Sequence, residues 1–299
     1  MDRAPIATDP RRGVLLVAGA ALLWSSSGLF IKALPQGASQ IVFVRSLVAA
    51  LTILLALRLR GVRAPLRFDP TTVAAAFAYA GLLAFFVAGT KLTTAANAIF
   101  LQFTAPIYLV FLEPWVFKRR IAPRDLAAVI LCLGGISCFF LGRLEAGHPA
   151  GNLLGLASGL CLALFTLLMK LKRERDPGTD PIGAAVLGNL LVVVIFAPVA
   201  LPGLRATVPQ AAALLYLGVF QIGLAYLLFN AGMRHLTATA SVVVATLEAV
   251  LNPVWVFLGL GERPSAWALL GGAVVIGVIA WYGLAGSRAE AKGAVIPEG

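Results

Sequence analysis

The sequence predicts an all-α integral membrane protein of ten transmembrane helices, built as two inverted five-helix repeats with both termini cytoplasmic. Three observations carry this reading. Of 299 residues, 60% are apolar and 12% charged, and the mean hydropathy is +0.92; ordinary soluble domains carry about 25% charge. Apolar runs long enough to cross a ~30 Å hydrocarbon layer recur along the whole chain. The two halves of the chain also match one another weakly at an offset of about 137–144 residues. So little charge cannot coat a water-soluble globule of this length, which excludes a soluble enzyme or nucleic-acid binder.

The predicted spans are roughly 13–32, 38–58, 70–90, 93–117, 124–142, 152–170, 181–201, 210–233, 236–260 and 265–285. Turn chemistry separates them: Pro35-Gln36-Gly37, Arg63-Ala64-Pro65, Arg120-Ile121-Ala122-Pro123, Asp176-Pro177-Gly178 and Pro202-Gly203. The first run is too long for a signal-peptide core and lacks a cleavage site, so it is expected to stay in the protein. Cys132, Cys138 and Cys161 all lie inside apolar runs, which gives neither a disulfide framework nor a thiol-pair metal spacing.

Charge sets the orientation, because cytoplasmic loops hold the excess of Lys and Arg. With the N-terminus inside, 18 of the 24 basic residues fall on the inner side. Lys32, Lys91, Arg143, Arg205 and Arg263 fall outside, and Arg45 alone lies within a span. The net charge of +11 is therefore an orientation signal, and no nucleic-acid partner is expected.

At an offset of 138, Gly13, Leu15, Leu16, Leu22, Leu29 and Lys32 meet Gly151, Leu153, Leu154, Leu160, Leu167 and Lys170. Pro70 precedes the third run as Pro209 precedes the eighth, and Leu92-Thr93-Thr94-Ala95-Ala96 resembles Leu236-Thr237-Ala238-Thr239-Ala240. The units read as 1–145 and 146–299. Five spans is an odd number, so the second copy enters the membrane upside down. Inverted repeats are the architecture of many secondary carriers, with the substrate near the midplane at the repeat interface.

Further motifs sharpen this. They are Trp24-Ser25-Ser26-Ser27, Arg45, Ala95-Ala96-Asn97-Ala98 with Gln102 and Ala105-Pro106, and Leu247-Glu248 followed by Leu260-Gly261-Glu262-Arg263-Pro264. In this order, over nearly the whole chain, they resemble the ten-helix EamA-type branch of the drug/metabolite transporter (DMT) superfamily. The tract from Ala96 to Pro106 looks most like the YddG-like aromatic amino-acid and methyl viologen exporters. The resemblance implies export of small metabolites, amino acids foremost, across a bacterial inner membrane, with no cofactor. Two positions depart from the family pattern. Arg119 or Arg120 stands where a glutamate often follows the fourth helix, and Ala249 stands where a proline commonly follows the ninth-helix glutamate.

Polar groups at midplane depth are the candidates for recognition, since they are costly in hydrocarbon and face the bundle interior. Arg45 reads either as a bidentate clamp for a substrate carboxylate or as a snorkelling or helix-packing residue. Glu248 reads as an ammonium contact, a proton carrier or an interhelical bond. Glu113, beside Pro114 at the inner end of its span, is expected to be interfacial. Trp24, Ser27, Tyr79, Asn97, Gln102, Phe165, Asn189, Gln221 and Tyr226 complete the substrate-binding set, with Ser25, Ser26, Tyr108, Thr166, Asn230, Thr246 and Asn252 beside them. Amides and hydroxyls among apolar walls suit a zwitterion with an apolar side chain. The competing reading for each is interhelical hydrogen bonding. Pro106 and Pro253 remove helical bonds in corresponding spans and are read as gate or hinge positions.

An intramembrane enzyme would need a constellation that is not visible: no HExxH, paired-aspartate motif or serine–histidine pair at one depth. A channel would need a selectivity filter. Within carriers, a multidrug or lipophilic-cation exporter is the alternative. Both halves of the pathway lie in one chain, so a monomer is expected to suffice.

Overall fold

The computed structural model describes residues 9–61, 66–118, 120, 122–140, 148–177, 180–260 and 266–293. Arg3, Arg63, Arg119, Arg143, residues 261–265 and the side chains of Asn252 and Pro253 lie outside the described residues. Among the described residues every regular element is helical. In the first half these are α1 (Pro10–Trp24), α2 (Ser27–Ala33), α3 (Ala38–Leu59), α4 (Pro70–Leu92), α5 (Ala95–Gln102), α6 (Ala105–Phe117) and α7 (Pro123–Phe140). In the second they are α8 (Pro149–Arg175), α9 (Ile182–Ala200), α10 (Val208–Tyr216), a π-helical stretch (Leu217–Leu224), α11 (Ala225–Gly232), α12 (Ala238–Ala245), α13 (Leu247–Leu260) and α14 (Ala266–Gly293). Seven helical segments are long and apolar enough to cross a membrane, and Ala238–Leu251 and Leu269–Trp281 are shorter apolar helices.

The helix starts follow from local chemistry. Asp9 and Asp69 cap α1 and α4, accepting the Arg12 and Thr72 backbone N–H groups, each with a proline in the first turn. Thr94 and Thr237 do the same for α5 and α12. Large apolar side chains such as Leu15, Phe111 and Trp115 point outward, being 73%, 73% and 80% exposed. The polar residues point inward: Ser25, Ser27, Arg45, Gln102, Asn189 and Glu248 are all buried. This is the polarity a bilayer solvent imposes on a helical bundle.

Packing repeats itself across the two halves. Helix α4 lies against α8, as α1 lies against α11; α3 packs on α9 and α7 on α14; α4 also meets α9, as α3 meets the π stretch. Lys32 Nζ donates to the Thr93 carbonyl (2.7 Å), and its counterpart Lys170 donates to the Leu236 carbonyl (2.6 Å). Each ammonium covers carbonyls left free beyond a helix C-terminus.

Three expected spans are interrupted. The run 13–32 is divided at Ser25–Ser26, 93–117 at Phe103–Thr104, and 236–260 at Thr246. Pro106 falls in the first turn of α6, where its missing N–H is tolerated. The placement of the second interruption at Pro253 is corrected. The break lies at Thr246, and the backbone runs helical through residue 253.

Gly188 marks a close approach of α9 to α4: a Cβ there would lie 2.7 Å from the Ala76 carbonyl oxygen and 2.7 Å from Tyr79 Cδ1. A backbone oxygen cannot step aside, so Gly188→Ala is expected to cost about 1–3 kcal/mol. Gly134 has nothing within 4 Å of such an atom, and Gly134→Ala should hold or raise stability. Melting of the two variants in detergent checks this; equal melting temperatures would contradict it.

Asp69 also accepts the Thr72 hydroxyl (2.7 Å) and Lys172 Nζ (2.8 Å). Burial raises its carboxyl, but the bonds from Lys172 and Thr72 outweigh that and hold it below the usual carboxylate range. A depressed carboxyl contributes stability in full above the ordinary aspartate value of about 3.9 and loses it as pH falls toward the folded value. Asp69→Asn should therefore melt below the parent at neutral pH, with the gap narrowing below about pH 4. A gap independent of pH would refute the assignment.

Candidate functional site

The irregular backbone converges on one place. Trp24 is the last residue of α1 before its break, Gln102 the last of α5, and Phe103 lies in the break itself. Ala245 ends α12, Glu248 stands in the first turn of α13, and Gln221 and Ile222 lie on the π stretch. All line a single cavity with Arg45 of α3, Leu82, Leu83 and Phe86 of α4, Leu162 of α8 and Tyr226 of α11. The space they enclose is about 30 Å³. Non-helical backbone at membrane depth is tolerated where it is buried in protein or lines a cavity, and π stretches recur at functional sites.

The walls divide by chemistry. Leu82, Leu83, Phe86, Phe103, Leu162 and Ile222 make an apolar side. Arg45 (1% exposed) and Glu248 (3% exposed) bring opposite charges to the same cavity. No ion pair within 4.0 Å joins them among the described residues. Glu248 sits in the first turn of α13, where the positive end of the helix dipole favours an anion. Several polar atoms here are buried without a hydrogen-bond partner: Trp24 Nε1, Ser27 Oγ, Arg45 Nε and Nη1, Tyr79 OH and Gln221 Oε1. Buried groups of this kind are rare in native interiors, and their gathering around one cavity sets the place apart.

The breaks are held from outside. Ser25 Oγ donates to the Leu22 carbonyl (2.6 Å) and accepts from Trp255 Nε1 of α13 (2.6 Å), while Ser26 Oγ and the Tyr216 hydroxyl lie 3.0 Å apart. Gln102 Oε1 accepts from the Ser158 hydroxyl (2.8 Å). Behind the cavity, the Tyr79 ring stands 4.6 Å from both Phe165 and Tyr226, and Trp24 stands 5.0 Å from Tyr226.

Of the substrate-binding candidates read from the sequence, Trp24, Arg45, Gln102, Gln221, Tyr226 and Glu248 line the cavity. Tyr79 and Phe165 form the layer behind it. Ser27 is buried just across the break from Trp24. Asn189 is fully buried on α9, its amide donating to the Ala185 carbonyl (2.9 Å). Asn97 lies elsewhere, donating to Thr93 Oγ1 (3.3 Å) near the α4–α5 junction. Asn230 belongs to a network at a helix end, accepting from Arg173 (2.7 Å) and donating to Asp180 (2.8 Å). Glu113 is not a free interfacial carboxylate, since it binds the first turn of α12. The apolar wall escaped the sequence reading, because nothing in sequence separates Leu82 or Leu162 from a lipid-facing leucine. Among the described residues no group of three or more His, Cys, Asp or Glu side chains comes together as a metal site.

Comparison with known proteins agrees with this architecture. A sequence model of the EamA-like transporter family matches twice, over residues 11–141 and 149–284. An uncharacterized protein of Pseudomonas aeruginosa is 30% identical over 281 residues, covering 89% of this chain and 94% of its own. Two proteins of Archaeoglobus fulgidus, each named only as an uncharacterized transporter, are 29% identical over 206 residues (65% of this chain, 69% of theirs) and 24% over 274 (91% and 97%). A protein known from its crystal structure shares the fold with a TM-score of 0.75, at 20% identity, over 93% of this chain and 98% of that one. The chain belongs to the EamA-like transporter family of the drug/metabolite transporter superfamily and is a multi-pass membrane protein that carries small molecules.

Proposed function

We propose that this protein is a secondary carrier that exports amino acids with apolar or aromatic side chains across a bacterial inner membrane by alternating access. The observation that carries the reading is the pair Arg45 and Glu248, two buried opposite charges on one cavity with no direct ion pair between them. An α-amino acid presents a carboxylate and an ammonium a few ångströms apart, so it can meet both at once. Its side chain then lies against Leu82, Leu83 and Phe86. The space between the walls is about 30 Å³, room for little more than water, so the walls must part to admit an amino acid. Glu248 either holds the ammonium or carries a coupling proton.

The reading takes ten crossings in two inverted units, 1–145 and 146–299, acting as a monomer with both termini cytoplasmic. The double family match, the mirrored helix contacts and the matched Lys32 and Lys170 support the duplication. The excess of basic residues in alternate loops supports the orientation. The cavity draws its walls from both units, so rocking one against the other would expose it to each side in turn.

Counterflow of labelled phenylalanine or leucine in proteoliposomes is the deciding measurement. Saturable flux is expected, with the matching amines and carboxylic acids competing poorly because each lacks one charge. Arg45→Gln should raise the half-saturation concentration about 10- to 100-fold, since hydrogen bonds to a charged group contribute about 1.5–3 kcal/mol. If Glu248 carries the proton, Glu248→Gln should flatten the dependence of flux on pH; if it only holds the ammonium, affinity falls and the pH profile keeps its shape. Flux of lipophilic cations without flux of any amino acid would sink the amino-acid reading and favour a multidrug exporter. Reporter fusions that fluoresce only in the cytoplasm should light up at both termini; signal at one terminus alone would rule out an even number of crossings.

A further inference from the structure

The end of the bundle that carries Lys118 and Arg120 holds a second cavity, separate from the central one, with a volume of about 150 Å³. Glu113, Pro114, Phe117, Arg120, Asp125 and Thr239 are among its walls. The Glu113 carboxylate bridges α6 to the start of α12: one oxygen accepts the Ala238 backbone N–H (3.1 Å), the other the Thr239 backbone N–H (2.9 Å) and the Thr239 hydroxyl. The first N–H groups of a helix have no partner within it and carry the positive end of its dipole. A third such donor, the Ala240 N–H, goes to Thr237 Oγ1 at 3.0 Å.

Two facts give this contact mechanical meaning. Helix α12 is buried along its whole length, and its last residue, Ala245, stands in the wall of the central cavity. A shift at its first turn is therefore transmitted to the cavity. The contact is also one-sided. Helix α5 matches α12 in length, both having eight residues, and begins with the same threonine cap. By sequence, Val256 stands at the position that corresponds to Glu113. The contact near the α5 start joins neutral groups, the Thr93 hydroxyl donating to Asn152 Oδ1 at 2.9 Å.

We infer that Glu113 is a gate latch. Bound to the first turn of α12, it holds the two units together at the Lys118 end; its release frees α12 and opens the central cavity to that side. The latch does not depend on which substrate the carrier takes.

The test measures access and needs no substrate. In a background with Cys132, Cys138 and Cys161 replaced by alanine, Ala245→Cys serves as reporter in oriented vesicles. A membrane-impermeant maleimide is added on the side that bears Lys118. Glu113→Ala should speed alkylation from that side about fivefold or more, and Glu113→Gln less, because the amide keeps one acceptor oxygen. An unchanged rate in a variant that elutes as a single folded species would overturn the latch. Should Glu113→Ala not fold, Thr239→Val removes one donor and leaves the helix start intact; faster alkylation then supports the latch and an unchanged rate overturns it. Amino-acid flux can fail in the parent while this result holds, so the two proposals fail separately.

Discussion

In hydrocarbon an unsatisfied backbone N–H or C=O costs several kcal/mol, and the whole site depends on how this chain bends helices without leaving such groups exposed. Serine and threonine do it through short side-chain bonds. At all three breaks a hydroxyl donates to the carbonyl three residues back: Ser25 to Leu22, Thr104 to Leu101 and Thr246 to Val243, each within 2.6–2.7 Å. The backbone tightens in step, with Thr104 N–H reaching the Leu101 carbonyl and Thr246 N–H the Val243 carbonyl. The turns at Thr104 and Thr246 have 3₁₀ character, and these N–H groups stay bonded as the chain changes direction. In uninterrupted helices the same residue types reach four back: Thr52 to Val48, Thr90 to Phe86, Thr166 to Leu162.

The scaffold is symmetric and the site is not. Contacts between helices repeat from one half to the other, as do the lysines that cover helix ends and the eight-residue helices α5 and α12. Within that frame the first helix breaks at Ser25–Ser26, whereas its counterpart α8 runs unbroken from Pro149 to Arg175. Helix α4 is regular, whereas its counterpart contains the π stretch. Gly218 and Gly223 let that stretch approach α3: a Cβ at Gly218 would lie 2.4 Å from Val48, and one at Gly223 would lie 2.7 Å from Thr52. Under the proposed alternating access, a symmetric frame would give two equivalent ends to open and close. Departures from symmetry in the middle give a binding surface whose faces differ, as recognition of an asymmetric solute requires.

This explains which parts were legible in the sequence. Seven long apolar helices were, because twenty apolar residues between turn signals have few other uses. The likeness of the two halves was visible in residues that repeat a structural task, such as Lys32 and Lys170. Six of the cavity residues were found because a buried amide, indole or charge in hydrocarbon demands a reason. The breaks were not, because a threonine that bends a helix and one that does not look alike in sequence; only the carbonyl it chooses differs. Pro253 misled for a related reason. A proline signals a missing N–H, but other contacts decide where the helix turns, and here Thr246 turns it. Asn97 was read as a cavity residue because it is a polar group in an apolar span, yet it bonds back to Thr93.

The separation of Arg45 from Glu248 is the feature hardest to explain by stability alone. Two buried charges cost least when they pair directly, and even a paired bridge is often no better than apolar residues of the same volume. Here the two groups share a cavity without closing on one another, beside an indole N–H, a hydroxyl and an amide oxygen that lack partners. Folding alone would favour apolar replacements at each position. Under the proposed function, a solute that brings its own carboxylate and ammonium would change that balance, because it could satisfy both residues while remaining free to leave. A carrier needs its site to be incomplete without cargo: a closed Arg45–Glu248 bridge would compete with the substrate at every turnover. The cost of keeping Arg45 and Glu248 from pairing with each other is then the condition under which binding can be both specific and reversible.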